Sequence, residues 1–324
     1  MSELSAEQYM ALSSSVYTDF HDNDRNKELR NINFEDPENV EKSALPSLNK
    51  WKLIDFQPST SSGFRAAAFQ NPDTGEIVFS FKGTDFKPSD VRTYIETYKD
   101  IANADAQIAF GASVGLPAQF ADAEKFVNSV LASRPNAKYS CTGHSLGGAL
   151  AQYMTYKTGC KSTTFNAPGV GDLIESATGH SIDYSLYKDK STNYANESDL
   201  IGNIWNDARV GTSKTIRSRF NSTMVEDAIA IYKMQTMLTL GGPLLPVLGG
   251  KLTLSIIIEG IKAMARAAKN MAPTGNHGME DLLTKGGELM PVVEQPDYGI
   301  SFMGYAARGT RIALGGGAFV FYVY

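Results

Sequence analysis

The chain is poor in several features that would place it in a large structural class. It has two cysteines in 324 residues, Cys141 and Cys160, too few for a disulfide framework. Cys141 falls in a strand-like run, so buried free thiols are expected. Positive charge is not in excess: 30 Lys and Arg face 35 Asp and Glu, a net charge of −5. With no basic footprint, nucleic acid is not an expected partner. Internal repeats and low-complexity tracts are absent. Met1-Ser2-Glu3-Leu4-Ser5-Ala6-Glu7-Gln8 lacks the basic and apolar regions of a Sec signal peptide. The expectation is a protein made in the cytoplasm which, if exported, is secreted without a cleaved signal. Histidine is scarce at four residues, so each one can be weighed.

What is present points to one large α/β domain. Hydrophobic residues make up 42% of the chain, enough for a sizeable core. Ser5 with Gln8 forms a capping-box pattern opening a helix through about Tyr17. A polar stretch from His21 to Lys50 reads as irregular structure. A strand pattern then runs from Trp51 to Phe56. Phe64 to Phe69 and Ile77 to Phe81 flank Asn71-Pro72-Asp73-Thr74-Gly75, a hairpin signal. Ala118 to Ser133 is helical, bounded by Pro117 and Pro135. Lys138 to Thr142, Ser162 to Asn166 and Ser191 to Asn196 read as strands. Strands alternating with helices predict a mostly parallel central sheet flanked by helices.

The segment 221–272 differs. No residue from Met234 to Gly250 is charged. After it, Lys251, Ser255, Glu259, Lys262, Arg266 and Lys269 recur every three or four residues. Ile257, Ile261, Met264 and Ala268 fill the opposite face, which predicts an amphipathic helix. Ile300 to Tyr324 reads as terminal strands. The expected organisation is therefore a polar N-terminal extension (1–50), a catalytic core (51–220), an apolar helical insertion (221–272) and a histidine loop with C-terminal strands (273–324).

Chemistry concentrates at Gly143-His144-Ser145-Leu146-Gly147, a G-x-S-x-G pattern between a strand and a helix former. Glycines on both sides let the chain turn sharply enough to lift a serine hydroxyl above the sheet edge. A serine becomes a nucleophile when a histidine takes its proton and a carboxylate orients that histidine. His144 cannot turn back to its neighbour's hydroxyl, and His21 lies before the strand system. In the order serine, acid, histidine, the remaining candidates are His277, in Thr274-Gly275-Asn276-His277-Gly278, and His180. For the acid, Asp199 follows a strand at its C-terminal end, the catalytic edge of an open α/β sheet; Asp172, Asp183 and Asp207 are weaker alternatives. An oxyanion hole needs two N–H groups. Leu146 supplies one by its position after the serine, and Thr84 in Phe81-Lys82-Gly83-Thr84-Asp85 can supply the other.

Phe81-Lys82-Gly83-Thr84, Gly143 to Ala151, Phe165-Asn166-Ala167-Pro168-Gly169-Val170-Gly171 and Asn196-Glu197-Ser198-Asp199 resemble the successive motifs of the class 3 lipase family, in that family's order, with His277 completing the set. The resemblance implies an α/β-hydrolase fold and metal-free hydrolysis of lipid esters; the apolar helical insertion, read from the residues, falls before His277. It supports Ser145, Asp199 and His277 as a triad and Thr84 with Leu146 as the oxyanion hole. In length and in Leu4-Ser5-Ala6-Glu7-Gln8-Tyr9 the chain is also similar to enterobacterial secreted phospholipases A1. The expected reaction is then release of the sn-1 fatty acid from a phospholipid at a membrane surface. A triacylglycerol lipase or general esterase is the same-class alternative. A membrane-disrupting protein acting through the apolar hairpin is the alternative of another class.

The stretch Lys87 to Asp105 is polar, where fungal members of the class carry an apolar lid. Met234 to Ala268 is the candidate cover of the site. No cofactor is expected; Asp22-Asn23-Asp24 lacks the glycine and distal glutamate of a calcium loop, and calcium dependence stays open. A lipid hydrolase threatens the membranes of the cell that makes it, so a dedicated inhibitory or accessory protein is an expected partner.

Overall fold

In the computed structural model, residues 4–34, 46–83, 116–196, 199, 202, 208–216, 258–259, 262, 279–284 and 288–292 are described. Four helices and seven strands are named here: α1 (Ala6–Ser15), β1 (Lys52–Gln57), β2 (Ala66–Gln70), β3 (Ile77–Phe81), α2 (Ala118–Ala132), β4 (Tyr139–His144), α3 (Leu146–Thr158), β5 (Lys161–Phe165), α4 (Gly171–Thr178), β6 (Ser191–Asn196) and β7 (Thr212–Ile216). The strands form one sheet in sequence order, β1 to β7. β1, β2 and β3 pair antiparallel. From β3 to β7 every pairing is parallel. This is the mostly parallel, helix-flanked sheet that the strand–helix alternation predicts.

Side-chain alternation decides the packing. In β3, Ile77, Phe79 and Phe81 join one core, while Val78 joins the other. In β2, Ala66 and Ala68 face the first core, and Ala67 and Phe69 the second. This is the period of two that a strand imposes. The first core is closed by Phe120, Phe126 and Val130 of α2, by Leu150 and Met154 of α3 and by Ile174 of α4. The second is closed by Tyr9, Met10 and Leu12 of α1 and by Met279, Leu282 and Leu283. A sheet covered on both faces explains why β2 and β3 are apolar almost throughout. Each fully buried phenylalanine adds about 2–3 kcal/mol from apolar area alone.

Local signals hold at most element ends. The Ser5 hydroxyl accepts from the Gln8 N–H, and the Gln8 side chain accepts from the Ser5 N–H, closing the capping box. α1 ends at Ser15 rather than near Tyr17. Its exit tightens, with Tyr17 and Thr18 N–H groups bonding carbonyls three residues back. The Ser15 hydroxyl also donates to the Ala11 carbonyl, a back-bond that weakens a helix end. The stretch after α1 holds two short 3-10 turns, Asp22–Asp24 and Leu29–Asn31.

Both cysteines are free and buried, with sulfurs 3.6 Å apart. Burial, and then the neighbouring Cys160, push the Cys141 thiol well above its ordinary range. Of the apolar insertion, Ile258, Glu259 and Lys262 are described as helical, with Glu259 paired to Lys262 at 2.8 Å. That pair lies on the polar face the sequence assigns. The charge-free run from Met234 to Gly250, the terminal strands from Ile300 and the stretch Lys87 to Asp105 lie outside the described residues. Among the described residues, no helix is long and apolar enough to cross a membrane.

Candidate active site

Ser145 sits between β4 and α3 with φ 56° and ψ −129°. A non-glycine residue there stores strain of about 1–3 kcal/mol and persists only if its surroundings over-determine it. Three hydrogen bonds do so. The Ser145 N–H donates to the Phe165 carbonyl at the end of β5, at 3.0 Å. The Ser145 carbonyl accepts from the Gly148 N–H at 3.0 Å and the Ala149 N–H at 3.2 Å, opening α3. The turn is thus bolted to the sheet on one side and to a helix on the other, and Ser145 is 4% exposed.

The flanking glycines are required by space. A Cβ on Gly147 would overlap the Phe81 carbonyl oxygen, and one on Gly143 would overlap the Gly147 backbone. Both obstacles are backbone, which cannot rotate aside. We expect Gly147→Ala to lower unfolding stability by about 3 kcal/mol or more, seen as a fall in the urea midpoint at unchanged m-value. A midpoint equal to wild type would show that the α3–β3 contact is looser than described.

Position at a helix start gives the turn its electrostatics. Leu146 is the first residue of α3. Its N–H is one of the opening donors that an α-helix cannot satisfy internally, and the helix adds positive potential there. On the other side of Ser145 the chain leaving β3 passes close. A Cβ on Gly83 would lie 3.1 Å from the Ser145 Cβ and 2.7 Å from the His144 carbonyl oxygen. The Gly83 N–H donates to the Tyr17 hydroxyl at 3.1 Å. That hydroxyl lies 3.3 Å from His144 Nδ1.

Asp199 follows β6 and is 1% exposed. Its N–H donates to the Asn196 carbonyl at 3.1 Å, and its Oδ2 accepts from the Gly202 N–H at 2.5 Å. A Cβ on Gly202 would lie 3.0 Å from the Asn166 Cα. Asn166 is the residue after Phe165, the acceptor of the Ser145 N–H. It is left-handed at φ 46°, a region asparagine tolerates better than most residues. Its Oδ1 accepts from the Asn196 N–H at 2.8 Å. Ser145, Asn166 and Asp199 therefore follow the C-terminal ends of the adjacent strands β4, β5 and β6.

The alternative acids and base lie elsewhere or have other work. Asp183 accepts from the Ser185 N–H and hydroxyl and is exposed, its carboxyl held low first by the hydroxyl bond and then by the N–H. Asp172 opens α4 in its first turn. His180 follows the end of α4, is exposed, and bonds the Thr178 carbonyl through Nδ1 at 2.7 Å. His277, Thr84 and Asp207 lie outside the described residues.

Two positions of this region are given no role by the motifs. Tyr17 carries no sequence signal, because its contacts are with residues 66 and 127 positions away. Asn166 stands inside a quoted motif, but its left-handed turn and its bond to Asn196 are seen only in the fold.

Among the described residues, no group of three or more His, Cys, Asp and Glu side chains could hold a metal ion. Asp22 bonds Arg25, and Asp24 bonds Lys27 and the His21 N–H. The Lys27 bond is the main cause that lowers the Asp24 carboxyl. With a serine on a strained turn, a helix start beneath it and a buried carboxylate two strands away, this edge can present a nucleophile and donors for a developing anion.

A family model described as phospholipase-like, a Tle-like phospholipase domain, matches residues 8–236. No curated protein matches the chain. Among solved structures, the Lip2 lipase from Yarrowia lipolytica is 16% identical over 65% of this chain and 77% of its own, with a TM-score of 0.39. The Rhizomucor miehei lipase in its propeptide complex is 15% identical over 67% of this chain and 68% of its own, with a TM-score of 0.40.

Proposed function

This chain belongs to the family of Tle-like phospholipase domains, and on that premise we propose that it is a phospholipase A1-type carboxylic ester hydrolase. The phospholipase- or lipase-type hydrolase follows from the family; the bond cleaved and the residues that cleave it are the proposal. The observation that carries it is Ser145, held at φ 56° at the start of α3 with the Gly83 backbone beside it.

In this reading Ser145 Oγ attacks the sn-1 ester carbonyl carbon of a glycerophospholipid. His277 takes the hydroxyl proton, and Asp199 orients the imidazole and stabilises it when charged. The Leu146 and Thr84 N–H groups hold the tetrahedral oxyanion. Collapse breaks the bond to the glycerol oxygen, which leaves as lysophospholipid with the proton from His277. Water, deprotonated by the same histidine, then releases the fatty acid and restores Ser145. No step requires a metal. The substrate is met at a membrane surface, with the apolar segment around Met234 to Ala268 engaging lipid. Export without a cleaved signal is part of this reading, and because a lipid hydrolase threatens the membranes of the cell that makes it, so is a dedicated inhibitory protein protecting that cell.

Phosphatidylcholine vesicles labelled differently at sn-1 and sn-2 test this directly. The expected result is release of the sn-1 label by wild type and of neither label by a Ser145→Ala variant. Release of the sn-2 label would replace the A1 assignment. Cleavage of triglyceride or short esters with neither label released would make this a neutral lipase or esterase. Equal vesicle leakage by both proteins without hydrolysis would mean a membrane-disrupting protein.

A further inference from the structure

We propose that Tyr17 is a positioning residue for the reaction at Ser145, acting through the backbone of Gly83 and the ring of His144. This rests on the assignment of Ser145 as the nucleophile. Tyr17 lies just beyond α1, on a tight turn closed by its N–H to the Ser14 carbonyl at 3.0 Å. Met10, Leu12 and Val16 of the same segment are fully buried, so the tyrosine rises from an anchored base. Its hydroxyl reaches two elements of the candidate site at once. It accepts from the Gly83 N–H at 3.1 Å and lies 3.3 Å from His144 Nδ1. The Lys82 ammonium lies over its ring, 5.4 Å from the centroid, a cation–π contact that holds the phenol from the side.

Geometry makes this placement consequential. A Cβ on Gly83 would lie 3.1 Å from the Ser145 Cβ, so the Gly83 backbone runs beside the nucleophile, and Gly83 immediately precedes Thr84 in sequence. Any displacement of the Gly83 peptide changes how the chain leaving β3 faces the nucleophile. His144 precedes Ser145 in the strained turn, so a restraint on its ring is a restraint on that turn. A phenol hydroxyl has one proton and two lone pairs. It can accept from Gly83 and donate to Nδ1 together, which leaves the neutral His144 ring protonated on Nε2. The hydroxyl then ties the chain leaving β3 to the end of β4, on the residue next to Ser145. Misplacement of about 1 Å at such a point costs about 100-fold in rate.

Tyr17→Phe removes only the hydroxyl. The measurements are kcat and KM on a soluble short-chain ester, the rate of covalent labelling by an alkyl fluorophosphonate, and the melting temperature. The phosphonate forms a bond to the serine oxygen and expels fluoride, so its rate reports nucleophile and oxyanion geometry without substrate release. The expected result is a fall of about 10- to 100-fold in both kcat and labelling rate, with KM unchanged and the variant fully folded at the assay temperature. A lower melting point with kcat and labelling rate unchanged would overturn the proposal, because a purely structural hydrogen bond behaves that way. A rise in KM alone would also overturn it. His144→Asn provides an independent check. If the two residues act as one unit, the double variant loses no more than the worse single variant; multiplied losses would remove His144 from the account. Wild type that resists labelling while Ser145→Ala stays active would instead overturn the underlying assignment of Ser145.

Discussion

Ser145→Ala is expected to abolish ester hydrolysis, lowering kcat by between about 10⁴- and 10⁶-fold while leaving the fold intact. The magnitude follows from the kind of group removed. Without the hydroxyl no acyl-enzyme forms, and the donors and binding surface that remain account for about 10³–10⁴-fold over water. The fold survives because the bonds holding the turn are made by the Ser145 N–H and carbonyl, not by its side chain. The φ of 56° is equally awkward for alanine, so strain does not change. Ser145→Gly separates the two effects. Glycine reaches that conformation without a Cβ penalty, relieving about 1–3 kcal/mol of strain. It adds about 0.5–1 kcal/mol of unfolded-state entropy to be lost on folding. The inactive glycine variant should therefore be more stable than wild type by about 1 kcal/mol, read from urea unfolding. An active alanine variant, or a glycine variant less stable than wild type, would mean that the strained turn does not serve catalysis.

Asp199→Asn is expected to lower kcat by about 10³- to 10⁴-fold with little change in KM. The amide is isosteric, and its oxygen can still accept from the Gly202 N–H. It cannot offset the charge of an imidazolium or hold the ring in the tautomer a general base needs. The expected loss is thus in the chemical step rather than in substrate binding. Asp183→Asn is the matched control. That exposed residue caps the turn at Ser185, so its activity should equal wild type. Retention of a third or more of the activity by Asp199→Asn would move the acid to Asp172 or Asp207.

Much of the scaffold was legible because it is locally encoded. The hairpin around Asn71 to Gly75 is written in turn residues between two short apolar runs, and β2 and β3 pair antiparallel as that pattern demands. The capping box at Ser5 and Gln8 needs only four consecutive residues. The strand-to-helix turn at Ser145 is visible because glycine is the residue that fits where another backbone passes within contact distance. The end of α1 was misplaced by about two residues, because a tightened exit and a serine back-bond carry no apolar signature. Tyr17 was invisible for a different reason: its hydroxyl bonds Gly83 and His144, remote in sequence, and nothing nearby marks it.

The sequence alone determined the alternation of strands and helices, the hairpin between β2 and β3, and the place of Ser145 on a glycine-flanked turn. Each depends on neighbours a few residues apart, through backbone sterics and side-chain period. The tertiary structure decided that β4, β5 and β6 lie side by side, so that Ser145, Asn166 and Asp199 share one edge. It also decided that α1 folds back across the sheet and sets the Tyr17 hydroxyl against Gly83. Such placements come from burying separated apolar surfaces together, and no local pattern of residues specifies which distant partners that burial will select.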